Sequence, residues 1–84
     1  MENQHKHIRG YRDLSQAEID LMNEIKAHGE RTRELIEKVH ETTMGAHRAK
    51  EAIADSLRWT AVARTTLQTG MMQLTRAVAQ PASF

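Results

Sequence analysis

Ser15-Gln16-Ala17-Glu18-Ile19-Asp20-Leu21-Met22 is the stretch that decides the fold. Ser15 followed three residues later by Glu18 fits the capping box. In that motif the serine hydroxyl accepts from the third helical N–H, and the glutamate reaches back to the serine N–H. Leu14 before the cap and Ile19 after it sit where a hydrophobic staple would fix the entry angle of the chain. A helix therefore begins here. Residues 1–14 show no helical period, are interrupted by Gly10, and read as an arm. The staple sets how that arm leaves the helix, so Tyr11 is expected close to the first turns.

Working outward, Met22, Ile25, Gly29, Thr32, Ile36 and Val39 recur at spacings of three and four, a helix-packing stripe that Leu21 and Leu35 widen. Gly29 and Thr32 are small enough for a partner helix to come close. Glu30, Arg31, Arg33, Glu34, Glu37 and Lys38 mostly fall off the stripe and read as a solvated face. Thr42-Thr43-Met44-Gly45 is the internal break, since two β-branched residues and then glycine weaken a helix. A second helix runs on to about Ala79, with Pro81 past its end. The expected division is an arm over 1–14, a helix over 15–41, a turn at 42–46 and a helix over 47–80.

The second helix carries two stripes. Ile53, Leu57, Thr60, Arg64, Leu67, Met71, Leu74 and Val78 suit packing against the first helix. Trp59, Ala63, Thr66, Gly70, Gln73 and Ala77 are richer in small residues and suit the helices of another subunit. The expected fold class is all-α: a helical hairpin with a short N-terminal arm, assembled as a homo-oligomer. Size points the same way. With 84 residues the chain is one domain, and one this short buries only about 60% of its unfolded surface. Small scaffolds compensate with disulfides, a metal or subunits. The sequence has no cysteine, so disulfides and thiolate metal sites are excluded and self-association remains. Lack of cysteine also fits a reducing compartment.

No apolar run approaches the roughly 18 residues that cross a bilayer. The start, Met1-Glu2-Asn3-Gln4-His5-Lys6-His7, lacks a signal-peptide core. A soluble cytoplasmic protein without a membrane partner is expected. The net charge of +1 is unevenly spread. Lys6, Arg9 and Arg12 face one acid, Glu2, in residues 1–12, acids dominate the middle, and Arg58, Arg64 and Arg76 stand in a stretch from Leu57 onward that has no acid. Binders of long nucleic acid show a stronger basic excess on one face. Small anions suit these basic ends better than a duplex does.

Few residues carry chemistry. Glu37 and His40 have the Glu-x-x-His spacing of di-iron bundles, but those need two such motifs and further glutamates. No metal and no cofactor are therefore expected. No nucleophile triad, phosphate loop or acid–base pair stands out, and one hairpin supplies no concave dry site, so no enzyme is expected. Tyr11, within Ile8-Arg9-Gly10-Tyr11-Arg12, either stacks a base between cations that hold phosphates or packs down on the hairpin. Lys26 beside the apolar stripe either snorkels to water or reaches a ligand phosphate. Arg64 interrupts an apolar stripe, where an unpaired guanidinium is costly to bury. It either pairs with an acid of the first helix or meets an anion from outside. Arg58 lies nearby.

Two stretches carry a resemblance. Ile8-Arg9-Gly10-Tyr11-Arg12-Asp13-Leu14-Ser15, continuing through Ile19-Asp20-Leu21-Met22-Asn23-Glu24-Ile25-Lys26, resembles the start of the phage sponges that counter the cyclic-oligonucleotide-based anti-phage signalling system, CBASS. Leu57-Arg58-Trp59-Thr60-Ala61-Val62-Ala63-Arg64-Thr65-Thr66-Leu67-Gln68-Thr69-Gly70 and Arg76-Ala77-Val78-Ala79-Gln80-Pro81 resemble their second helix. The resemblance spans about two thirds of the chain; Thr32 to Asp55 matches only in being helical and charged. It implies a homohexamer of helical hairpins in the cytoplasm of the infected bacterium. The hexamer would sequester cyclic dinucleotides between subunits without cleaving them, and in some members cyclic trinucleotides in separate pockets. Carried over, Tyr11 stacks on a base, Lys26 binds phosphate, Arg9 and His28 lie near that pocket, and Arg58 or Arg64 lines the trinucleotide pocket.

Two rival classes remain: a coiled-coil or bundle module that binds another protein, and a small phage DNA-binding regulator. The first explains the stripes but leaves Tyr11 and Arg64 unexplained. The second lacks a short turn between helices of recognition length.

Overall fold

The computed structural model describes residues 13–80 and shows two helices folded back on each other, α1 (Gln16–Met44) and α2 (Lys50–Ala79). The capping box forms: the Glu18 N–H donates to Ser15 Oγ at 3.2 Å, and the Ser15 N–H donates to Glu18 Oε1 at 2.8 Å. Leu14 and Ile19 on either side of the cap are half-buried. The far end of α2 closes on Gln80, which takes a left-handed conformation (φ 41°) and donates its N–H to the Arg76 carbonyl at 2.7 Å.

The break between the helices lies later than the sequence pattern placed it. Thr42, Thr43 and Met44 belong to α1, whose last carbonyls are met by the Gly45 N–H on Glu41 at 3.1 Å and the Ala46 N–H on Thr43 at 3.2 Å. Thr43 is buried against the hairpin, and that packing outweighs its weak helix propensity. The turn occupies 45–49 rather than 42–46, and α2 starts at Lys50 behind Ala49, which makes no side-chain cap.

Met22, Ile25, Gly29, Thr32 and Ile36 form the covered face of α1 as the stripe predicts, with Thr43 covered in place of the exposed Val39. On α2 the expected stripe is only partly covered. Ile53, Leu57, Thr60, Met71 and Val78 are half-buried, while Arg64, Leu67 and Leu74 are exposed. One partner helix shields only an arc of α2, and these three fall at its edges. Close approach at the glycines is also not needed within the hairpin, because a Cβ added at Gly29 or Gly70 would meet nothing within 4 Å.

Very little core results. Ile36, 8% exposed, and Ala79, 2% exposed, are the buried apolar residues among those described. The radius of gyration is 18.1 Å, against about 12 Å for a compact chain of this length. The accessible surface is 6882 Å², against about 5,100 Å² for a compact monomer of this mass. On one side Leu35, Val39, Trp59, Ala63 and Leu67 surround an open apolar hollow, with Leu35 62% and Trp59 57% exposed.

Candidate functional site

The other side of the hairpin carries more charged and amide side chains and is hollowed along its length. Lys26 is exposed at the rim of an open groove of about 460 Å³ between the helices. Ile25 and Gly29 of α1 form the groove with Gln68, Met71 and Met72 of α2. The absence of a side chain at Gly29 helps to create the space. A second hollow shares Gly29, Gln68 and Met71 with the first and runs on to Arg33 and Arg64. A third shares Arg64 and continues to Glu37 and His40. The three make one trough, with Lys26 toward one end and Arg64 farther along.

The cations of this trough differ in availability. Arg33 is committed: it bonds Glu30 at 3.0 Å and Glu37 at 2.8 Å. The Glu30 hydrogen bond, together with the charge of Glu37, raises its pKa further above the ordinary arginine value. Lys26 and Arg64 make no ion pair among the described residues. The internal salt bridge considered for Arg64 is absent. The Glu30 and Glu37 carboxylates that line its hollows are instead engaged by Arg33. Both free cations are thus open to an anion from outside.

The remaining candidates do not gather with them inside one chain. His28 follows Lys26 by two residues, about 200° around the helix, and does not line the Lys26 groove. Arg58 bonds Asp55 at 3.1 Å and its guanidinium lies 4.6 Å from the centre of the Trp59 ring. It stands about 120° around α2 from Arg64, so the two arginines serve different faces. Tyr11 and Arg9 lie outside the described residues. Among those described, no group of three or more His, Cys, Asp or Glu could hold a metal, and no helix is long and apolar enough to cross a membrane.

Sequence reasoning missed Gln68 and Asn23, which face the same groove as Lys26. Neither belongs to a motif. Their placement follows from the register of α1 against α2, which periodicity alone does not determine.

Two comparisons bear on this arrangement. A family model described as Acb2/Tad1, hairpin domain, matches residues 3–79. Anti-CBASS protein 2 of Pseudomonas phage JBD67 is 36% identical over 105 residues, covering 96% of this chain and 97% of that relative. The alignment is longer than the 84 residues of this chain, so the relative carries residues that this one lacks. Matched along nearly its whole length in both comparisons, the chain belongs to the Acb2/Tad1 hairpin-domain family.

Proposed function

We propose that this chain is a phage anti-CBASS protein that sequesters cyclic dinucleotides in the infected host without cleaving them. The observation that carries the reading is a Lys26 without an ion pair among the described residues, at an open groove, in a chain that aligns end to end with a relative named for opposing CBASS. Sequestration asks only for binding: a tight complex lowers the free messenger concentration by mass action. No acid–base pair or metal is needed.

The chemistry fits a site shared by two subunits. A cyclic dinucleotide has two phosphates and two base faces. A two-fold interface presents each of its residues twice, so one Lys26 and one Tyr11 per chain give two phosphate contacts and two stacks. The exposed apolar side chains of the hairpin support such an assembly, and a homohexamer is the state the family resemblance implies. Arg9 and His28 are proposed at the margin of the dinucleotide pocket. His28 faces away from the Lys26 groove of its own chain, so it would act on a pocket completed by a neighbour. Cyclic trinucleotides would bind separately, through Arg64 or Arg58. Arg64 is the better placed for an anion because Arg58 already holds Asp55.

Titration calorimetry with a panel of cyclic di- and trinucleotides tests the reading. Submicromolar binding of at least one cyclic dinucleotide, lost in Lys26→Ala, is expected. Absence of binding across the panel would return the protein to the class of interaction modules.

A further inference from the structure

The groove below Lys26 has features that phosphate binding does not use. Ile25, Met71 and Met72 give it apolar walls, and Met72 is 66% exposed although it is a large apolar side chain. At Gly29 the helix backbone is bare, and a Cβ there would meet nothing within 4 Å. A flat aromatic ring can lie against such a surface. Methionine sulfur makes favourable contacts with aromatic rings, and a glycine lets a ligand approach the backbone closely. Gln68 borders Gly29 in both adjoining hollows, and Asn23 stands on the opposite rim. The side-chain amides of both are without hydrogen bonds among the described residues, whereas Gln16 donates to Asp20 at 2.9 Å.

We infer that the groove at Gly29 is a base slot, and that Gln68 reads the base edge and favours adenine over guanine. The inference deepens the sequestration reading and rests on it. An amide of the glutamine or asparagine type pairs with adenine through two bonds, accepting from the N6 amine and donating to N7. Guanine presents acceptors at both N7 and O6, so the amide oxygen faces an acceptor and one bond is lost. Lys26 could serve guanine as a donor, but in this reading its ammonium holds the phosphate. Asn23 supplies a second amide to the same slot.

The test uses the full chain and two probes, cyclic di-adenosine and cyclic di-guanosine monophosphate, titrated at one salt concentration. The wild type binds the adenine ligand more tightly. In Gln68→Leu the adenine-to-guanine preference falls by about 5- to 150-fold for each base read, the size of one bidentate base contact. Gly29→Ala places a methyl in open space, so the melting temperature rises because alanine favours the helix over glycine. The same methyl narrows the slot, so both ligands bind more weakly while sedimentation shows an unchanged assembly. An adenine-to-guanine ratio unaltered by Gln68→Leu overturns the inference, as does a wild type that prefers guanine. If Lys26→Ala loses both ligands while the Gln68 and Gly29 variants bind like wild type, the slot is wrong and sequestration stands. If the wild type binds neither ligand, the slot is wrong, and the wider panel of cyclic di- and trinucleotides decides sequestration.

Discussion

Replacing Trp59 with alanine separates the stability of one hairpin from that of its assembly. Within the hairpin the ring contributes little. It is 57% exposed, and its polar contact is the Arg58 guanidinium at 4.6 Å, worth about 0.5–1 kcal/mol at an exposed site. Alanine's better helix propensity offsets part of that loss. Against a second subunit the same ring matters far more. A large aromatic buries up to about 250 Å², so the exposed part leaves roughly 140 Å² to cover, or about 3.5 kcal/mol at about 25 cal/mol per Å². Trp59→Ala should therefore keep its far-UV helical signal yet weaken subunit association by two to three decades, at about 1.4 kcal/mol per decade. Sedimentation velocity across a nanomolar-to-micromolar series reads this directly, and emission from the single tryptophan reports its burial in the wild type. Identical sedimentation of variant and wild type, with wild-type emission typical of water, would refute a packing role for this face.

Other substitutions test the site and the hairpin. Lys26→Ala removes two charge-assisted phosphate contacts per bound dinucleotide, each worth about 1.5–3 kcal/mol, and calorimetry should show affinity falling by at least two decades with the assembly intact. Tyr11→Ala, if both stacks are lost at about 1–3 kcal/mol each, should cost roughly 2–6 kcal/mol of binding free energy; unchanged affinity would remove the stacking role. Arg64→Ala should weaken cyclic trinucleotide binding and spare cyclic dinucleotides, and the opposite pattern would place Arg64 in the dinucleotide site. Ser15→Ala breaks the capping box and should cost about 1 kcal/mol of stability, read as a lower melting temperature; an unchanged melt would mean that the cap does not hold the start of α1.

The helices were legible because their signals are local. The Ser15–Glu18 pair acts across three residues, and the stripe from Met22 to Ile36 needs nothing but helical period. The turn was misplaced because Thr42 and Thr43 look like helix breakers until Thr43 is seen buried against the hairpin, a tertiary effect that propensity cannot anticipate. Arg64 illustrates the same boundary. Its place in an apolar stripe marked it as unusual, but that it makes no ion pair among the described residues, while Arg33 takes Glu30 and Glu37, shows only in the structure. Lys26 was visible beside the stripe. Gln68 and Asn23 were not, since surface amides carry no pattern and only the register between helices sets them around the Gly29 groove.

Native mass spectrometry of the protein mixed with a cyclic dinucleotide, followed by mass analysis of the released ligand, tests the central claim most directly. The account predicts an assembly of six 9.6 kDa chains carrying bound ligand, with the released ligand at the mass of the intact ring. A chain that stays monomeric at micromolar concentration without ligand would contradict it. So would a released nucleotide heavier by one water, the mark of a hydrolysed ring.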